Sequence, residues 1–228
     1  MTKKCPAINR AMQRTRLLRV QQPLRVPPSA PARLVVLASG AGSLLASLLE
    51  AATGEYPARV VAVGTDRKCA ALDVAAAADV PTYTVRLADH ADRAAWDAAL
   101  TAATAEHHPD LVVSAGFMKI LGAEFLSRFP GRVVNTHPAL LPAFPGAHAV
   151  REALNYGVRV TGCTVHLVDS GVDTGPILAQ QVVEIDDDDT EETLHERIKV
   201  VERRLLVDVL AALATRGVIW TGRKATFG

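Results

Sequence analysis

Short apolar runs alternate with helix-like segments along the first two thirds of the chain, and this alternation limits the folds open to it. Residues 34–38 and 111–115 are continuous apolar runs, as expected of strands buried on both faces. Strands that alternate with helices form parallel sheets with helices on both faces. The sequence therefore predicts an α/β fold built on a mostly parallel, twisted sheet. The predicted strands are residues 34–38, 59–64, 82–85, 111–115, 132–135, 160–168 and 177–183, and the predicted helices are 44–52, 69–78, 92–107, 122–129, 148–156 and 189–215.

Glycines and polar residues stand directly after several predicted strands. Gly40 and Gly42 follow the first strand, Gly116 follows the fourth, and Asn135 ends the fifth. Open parallel sheets bind their ligands beyond the carboxyl ends of the strands. A binding site is therefore expected at that edge of the sheet.

Composition excludes several classes of protein. Of the 228 residues, 49% are hydrophobic and the net charge is +1, which excludes a wholly disordered chain. No apolar run reaches about 18 residues, the length that suggests a membrane span. Three cysteines are too few for a disulfide scaffold, and an odd number fits a reducing compartment. We therefore expect a cytoplasmic protein that makes no use of a membrane.

Basic residues are concentrated at the N-terminus. Residues 1–33 hold eight of the 25 Lys and Arg residues and none of the 24 Asp and Glu residues, and prolines between 23 and 31 forbid a continuous helix. We expect residues 1–32 to form a disordered, basic, Pro-rich extension, and residues 33–228 to form a single domain. Alternatives are a tail for a polyanion such as RNA, or sequence upstream of the true start codon. The remainder is acidic overall, which argues against a nucleic-acid-binding domain.

A glycine-rich loop at residues 39–43 joins the first strand to the first helix. Its glycines allow close approach of an anion, and a helix start offers free N–H groups. Leu45 stands where a dinucleotide-binding fingerprint has its third glycine, and the Walker lysine is absent. The loop thus favours a single phosphate. The alternative is a tight turn that binds no ligand.

A proline-rich block at residues 135–146 follows the fifth strand. Asn135 and His137 lie two residues apart, so both side chains can face one side of the sheet. An amide and an imidazole can together stabilise an oxyanion and move a proton. The alternative is a histidine that is satisfied by a local backbone contact.

An acidic, glycine-containing turn at residues 169–176 joins two strands of the second half. Asp173 in this turn could face an imidazole, and a nearby carboxylate raises the pKa of a histidine. An ordinary turn is equally compatible with this composition.

In this order, the three features resemble the phosphoribosylglycinamide formyltransferases of purine biosynthesis, which use 10-formyltetrahydrofolate. The resemblance covers residues 33–228. Its most specific part is the pattern N-x-H-P-x-L-L-P from Asn135, followed by D-x-G-P from Asp173. The wider formyltransferase superfamily shares these patterns, and the loop at residues 40–43 narrows the resemblance to the glycinamide enzymes. A Rossmann-like formyltransferase fold is thereby implied.

The resemblance also implies a role for individual residues. Asn135, His137 and Asp173 match the catalytic residues. Residues matched to the ribonucleotide site are Gly40, Ala41, Gly42, Ser43, Lys199 and Glu202. Residues matched to the folate site are Arg93, Met118, Lys119, Ile120, Leu121, Asn135, Val168 and Asp169. The sequence departs from the family at Leu44, where Asn is frequent, and at Lys119, where Arg is common.

The implied mechanism is direct formyl transfer from 10-formyltetrahydrofolate to the amine of glycinamide ribonucleotide. Asn135 and protonated His137 would stabilise the oxyanion, and Asp173 would raise the pKa of His137. The donor is a co-substrate and no metal is expected. Only small molecules are expected as partners, with no nucleic acid; a homodimer is compatible with a family whose members vary in oligomeric state.

Other functions remain open at this stage. A formyltetrahydrofolate deformylase would deliver the same group to water, but carries a longer N-terminal domain. Methionyl-tRNA formyltransferase adds a C-terminal domain. A nicotinamide-dependent oxidoreductase would use Asp66 after the second strand, and the missing glycine disfavours it. A non-catalytic folate- or nucleotide-binding protein is the last alternative.

Overall fold

Nine strands form one sheet in the computed structural model, which describes residues 31–228. The strands are β1 (Ala32–Ala38), β2 (Ala58–Thr65), β3 (Thr82–Thr84), β4 (Leu111–Ser114), β5 (Val133–His137), β6 (Val160–Leu167), β7 (Ile177–Glu184), β8 (Val218–Thr221) and β9 (Lys224–Phe227). The helices are α1 (Ser43–Ala51), α2 (Ala71–Ala77), α3 (Arg93–Ala105), α4 (Ala123–Arg128), α5 (Ala149–Tyr156) and α6 (Glu191–Arg216). Within residues 31–228, no helix is long and apolar enough to cross a membrane.

The strand order is β3-β2-β1-β4-β5-β6-β7-β9-β8. The first five strands in this order pair in parallel, whereas β6 runs antiparallel to both β5 and β7. The direction of winding reverses between β1 and β4. A crevice for ligands opens at such a reversal, between the loops that follow the two strands. The mostly parallel sheet predicted from the sequence is confirmed.

Helices cover both faces of this sheet, because alternate residues of β1 point into different cores. Leu34 and Val36 pack with side chains of α1, α2 and α6. Val35 and Leu37 pack on the other face, with Trp96 of α3 and side chains of α4. All four β1 side chains are fully buried, which explains the continuous apolar run.

The long helix α6 packs along the sheet and joins two cores. Leu194 and Ile198 near its start pack against side chains of α5 and β6. Leu206 and Leu210, farther along, belong to the core shared with α1 and β1. Glu202 lies between these two groups and is buried with them.

Three details differ from the expectations. Ala32, assigned to the extension, is the first residue of β1 and pairs with Ala58; residues 1–30 of the predicted extension lie outside the described residues. The last helix, predicted over residues 189–215, begins at Glu191 and ends at Arg216, because Thr190 caps it with Thr193 as its reciprocal partner. The hairpin of β8 and β9 was not predicted, and it adds two strands at one edge.

Candidate active site

The register of β5 and β6 assembles a polar cluster. Asn135 faces His166 across the antiparallel pair, with 3.2 Å between Asn135 Nδ2 and His166 Nε2. Asp173, in the turn between β6 and β7, lies 3.4 Å from His137 Nδ1 through Oδ2 and 3.6 Å from His166 Nε2 through Oδ1. The three residues matched to the catalytic group therefore meet, and His166 joins them.

Backbone geometry holds Asp173 in this position. Its φ angle is +53°, a left-handed conformation, and Gly146 N donates a 2.8 Å hydrogen bond to its Oδ2. Gly175, two residues later, lies so close to the Leu167 carbonyl oxygen that any Cβ would overlap it. Asp169 shapes the same turn, because its Oδ1 accepts from Gly171 N at 3.0 Å and Thr174 Oγ1 at 2.6 Å. The carboxylate of Asp169 is thus used within the turn.

The proline-rich block is fastened to β6 and β7. Thr164 Oγ1 donates to the Ala139 carbonyl at 2.7 Å and accepts from Leu141 N at 3.0 Å. Gln180 Nε2 donates to the Leu141 carbonyl and to Thr164 Oγ1, both at 2.9 Å. These contacts fix the backbone that leads away from His137.

His137 is almost fully buried and has an oxygen acceptor near each ring nitrogen. Its Nε2 lies 2.7 Å from the Phe144 carbonyl oxygen, which can only accept, so this nitrogen carries a proton. Nδ1 faces the carboxylate of Asp173. Only the doubly protonated ring can donate to both neighbours.

Burial nevertheless has the largest effect on the pKa of His137. Burial of His137 lowers its pKa below the ordinary value, and it outweighs Asp173 and the Phe144 carbonyl, which both raise it. Asp173 thus raises the pKa of His137 as expected, but the larger effect of burial leaves the net pKa of the ligand-free chain below its ordinary value. Hydrogen bonding by His166, followed by Gly146 N and the charge of His137, lowers the pKa of Asp173 despite its burial.

The glycine-rich loop has the geometry of an anion site. Gly42 caps α1 with a φ of +76° and no side-chain cap, so the first backbone N–H groups of the helix have no intrahelical partner. A Cβ at Gly42 would lie 2.9 Å from the Cα of Ala71, which requires glycine there. Gly40 and Ala41 are exposed, and Ser43 is half-buried at the start of α1.

The segment matched to the folate site presents unusual apolar surface. Met118 is 68% exposed and Ile120 is 63% exposed, whereas Leu121 is buried beneath them. Arg93 Nη2 donates to the Ile120 carbonyl and fixes this segment. Lys119 turns its ammonium toward Asp66, with Nζ 3.7 Å from Oδ2.

The remaining predicted residues lie on two elements, the turn after β6 and the helix α6. Val168 and Asp169 line a cavity of about 480 Å³ together with Leu126 of α4. Glu202 is buried, and burial raises the pKa of its carboxyl group, while its neighbour Thr136 of β5 opposes this shift. Lys199 Nζ lies 2.7 Å from Glu196 Oε1, so its ammonium is engaged on its own helix.

Comparison with known proteins identifies the family. Residues 32–210 match the family described as formyl transferase. A phosphoribosylglycinamide formyltransferase of Mycobacterium tuberculosis is 74% identical over 209 residues, which span 92% of this chain and 97% of that protein. The chain belongs to the formyl transferase family. Its members named in the comparisons include enzymes of more than one reaction.

Two solved structures show how the fold recurs in this family. A glycinamide ribonucleotide transformylase of Symbiobacterium toebii superimposes with a TM-score of 0.84 at 40% identity, covering 86% of this chain and 93% of that one. A formyltetrahydrofolate deformylase of Pseudomonas syringae superimposes with a TM-score of 0.81 at 27% identity, covering 88% of this chain and 67% of that one. The deformylase is thus the more distant of the two.

Sequence reasoning missed three residues that shape the site of this formyl transferase family member. His166 is visible only through the register of β5 and β6. Asp97 on α3 accepts hydrogen bonds from Gly122 N, Glu124 N and Phe125 N at 2.7, 3.0 and 3.2 Å, which holds the start of α4. Asp66 was considered only for an oxidoreductase. The available signal for Asp66 was an acidic residue directly after an apolar strand.

Proposed function

We propose that the protein transfers a formyl group from 10-formyltetrahydrofolate to the amine of glycinamide ribonucleotide, a step of de novo purine biosynthesis. The observation that carries the proposal is the cluster of buried His137 with half-buried Asn135 and Asp173 at the carboxyl end of β5. An amide and an imidazole side by side suit an acyl transfer, in which negative charge develops on oxygen. The relative named as this enzyme, at 74% identity over nearly the full chain, supports the same reaction.

The amine of the ribonucleotide attacks the formyl carbon, and negative charge develops on the formyl oxygen. Asn135 has two N–H groups, of which one faces His166, and the other is available to this oxygen. When substrate is bound, the Nε2–H of protonated His137 is proposed to turn from the Phe144 carbonyl to this oxygen as a second donor, while Asp173 beside Nδ1 stabilises the charge of the ring. His137 then also serves as the group that moves a proton from the amine toward the leaving nitrogen.

The flanking segments fit the two substrates. The uncapped start of α1 suits the ribonucleotide phosphate at residues 40–43. Glu202, buried against Thr136, stands beside the catalytic strand and is proposed to meet the glycinamide end, with Lys199 at its entrance. Exposed Met118 and Ile120 offer an apolar wall to the flat ring of the folate. Arg93, Lys119, Leu121, Val168 and Asp169 complete the proposed folate site.

We also propose that the reaction takes place in the cytoplasm and needs no metal ion. The free thiols of Cys69 and Cys163 support the first point, because thiols stay reduced in that compartment. Among residues 31–228, no group of three or more His, Cys, Asp and Glu residues is arranged to hold a metal ion. We expect turnover to be unchanged by excess EDTA; a loss of activity that Mg²⁺ or Zn²⁺ restores would contradict a metal-free reaction.

A spectrophotometric assay tests the proposed function. The purified protein is mixed with 10-formyltetrahydrofolate with and without glycinamide ribonucleotide, and folate absorbance is followed. Turnover that requires the ribonucleotide and is lost in His137→Ala supports the proposal. Turnover without an amine acceptor indicates the deformylase, and binding of both ligands without turnover indicates a non-catalytic protein. His108→Asn is the matched control, because His108 is exposed, precedes β4 at the opposite edge, and has a φ of +46° that Asn tolerates.

A further inference from the structure

Asp66 is a buried carboxylate that the proposed reaction leaves unused. It follows β2, and its side chain is only 1% exposed. Arg67 Nη2 and Nε both donate hydrogen bonds to Asp66 Oδ2, at 2.7 and 3.1 Å. Lys119 Nζ adds a second cation at 3.7 Å. Burial raises the pKa of Asp66, but hydrogen bonds from Arg67 and Ser39 outweigh it, so the pKa lies below its ordinary value and the group stays charged.

The surroundings of Asp66 connect it to the glycine-rich loop. Ser39, the first residue of that loop, is a neighbour that lowers the pKa of Asp66, and its Oγ accepts from Met118 N at 2.9 Å. The chain after Asp66 continues along the loop, because Ala71 N donates to the Gly40 carbonyl at 3.1 Å. Residues 66–71 therefore form one wall of the loop at residues 39–43.

Asp66 orients the Arg67 guanidinium but contacts only part of it. Its Nε and Nη2 face Asp66, while the side chain remains 49% exposed. Because one edge of this planar group is anchored, its other N–H groups point in a fixed direction. Asp66, Arg67 and Lys119 together carry one excess positive charge. This charge stands beside an uncapped helix start that has no acidic residue in its first turn.

We propose that Arg67 binds the phosphate monoester of the ribonucleotide, with Asp66 as the residue that positions its guanidinium. The phosphate would then lie between the N–H groups at the start of α1 and the free edge of Arg67. This inference rests on the proposed function for the identity of the substrate. It assigns to Arg67 a share of the phosphate affinity beyond that of the glycine-rich loop.

Calorimetry with ribose 5-phosphate isolates this contribution, and steady-state kinetics provides the second measurement. Arg67→Ala is expected to weaken binding of ribose 5-phosphate about tenfold, as for loss of one charge-assisted hydrogen bond. The KM for glycinamide ribonucleotide should rise by a similar factor, while kcat and the KM for 10-formyltetrahydrofolate stay near wild type. Arg67→Lys should be intermediate, because it keeps the charge and loses the fork. Arg159→Ala is the control, since Arg159 forms an exposed pair with Asp187 on another part of the surface.

A double variant distinguishes phosphate binding from simple neutralisation of Asp66. If Arg67 only balances the buried carboxylate, Asp66→Asn will restore ribose 5-phosphate affinity in the Arg67→Ala background. The proposal predicts no restoration, and it predicts weakened affinity in Asp66→Asn alone because Arg67 loses its anchor. Unchanged affinity in Arg67→Ala, or restoration in the double variant, overturns the inference while wild-type turnover leaves the proposed function intact. A wild-type protein that neither binds ribose 5-phosphate nor uses the ribonucleotide overturns both.

Discussion

At the scale of single residues, burial and two neighbouring acceptors shift the pKa of His137 in opposite directions. Burial lowers its pKa, and Asp173 partly opposes this effect. NMR titration of the ligand-free chain should therefore place the His137 midpoint below the ordinary value of 6.5. Asp173→Asn should lower the midpoint further, because a raising charge is lost. A midpoint above 6.5, or a rise in Asp173→Asn, would refute this description of the site.

Asn135 carries a second residue-scale prediction. Its amide is proposed to donate to the developing oxyanion, and loss of one such donor costs about 100–1000-fold in rate. Asn135→Ala should lose kcat by that factor while the protein remains folded. Asn155→Ala, on the exposed face of α5, is the matched control and should turn over normally. Near-wild-type turnover in Asn135→Ala would remove Asn135 from the mechanism.

The sequence singles out Asn135, His137 and Asp173, whose catalytic roles stay predictions, but it does not reveal which side chains they contact. Asn135, His137 and Asp173 stand out because proline and glycine surround them in the sequence. His166 carries no such signal, since a histidine in a buried strand reads as core until the pairing with β5 is known. The sequence also does not show that burial opposes the effect of Asp173 on the pKa of His137, because the exposure of His137 depends on the packing of the whole proline-rich block.

At the scale of elements, the turn between β6 and β7 depends on Gly175. Any side chain there overlaps the Leu167 carbonyl oxygen, so Gly175→Ala must shift the turn and displace Asp173. We expect a loss of kcat together with a lower melting temperature. Gly54→Ala is the control, because Gly54 has a φ of +57° and open space around its Cα, so only backbone strain is added. Equal kcat in the two variants would show that the turn does not position Asp173.

The elements themselves followed from the sequence where their signals were local. Asp92 was placed near the start of α3, and its Oδ1 accepts from Ala95 N at 2.8 Å as the N-cap. The hairpin of β8 and β9 escaped prediction because each strand has four residues, and β9 joins the sheet through a single parallel pair, Ile177 with Lys224. Such a distant pairing leaves no mark in the local pattern.

At the scale of the whole molecule, folding shifts several pKa values in a direction that weakens the fold in acid. Asp66 and Asp173 have lowered pKa values, so their stabilisation is present above the ordinary carboxyl pKa and is lost as pH falls. His137 also has a lowered pKa, so the unfolded chain binds its proton more readily below pH 6.5. Glu202 opposes this, because burial raises its pKa.

The free energy of unfolding should therefore fall as the pH is lowered below about 4, because the unfolded chain protonates Asp66 and Asp173 near the ordinary value of 3.8 and the folded chain does so only at lower pH. Urea unfolding at a series of pH values measures this decline. A free energy of unfolding that stays constant or rises below pH 4 would contradict these two lowered pKa values.

The global architecture was the most predictable feature, since fully buried strands such as β1 leave continuous apolar runs. The reversal of winding between β1 and β4 was not predicted, because strand order is set by packing of α1 and α3 on opposite faces of the sheet. That reversal brings the loops after β1 and β4 together, where Ser39 N donates to the Gly116 carbonyl at 3.2 Å.

The fate of the formyl group distinguishes a transferase from a deformylase, and one measurement of the products determines it. The protein is supplied with 10-formyltetrahydrofolate carrying ¹³C in the formyl group, together with glycinamide ribonucleotide, and the products are followed by ¹³C NMR. We expect the label to appear as the formamide of formylglycinamide ribonucleotide, and we expect His137→Ala to abolish this signal while His108→Asn retains it. Label that appears as free formate, or equal formamide formation in wild type and His137→Ala, would overturn the proposed transfer.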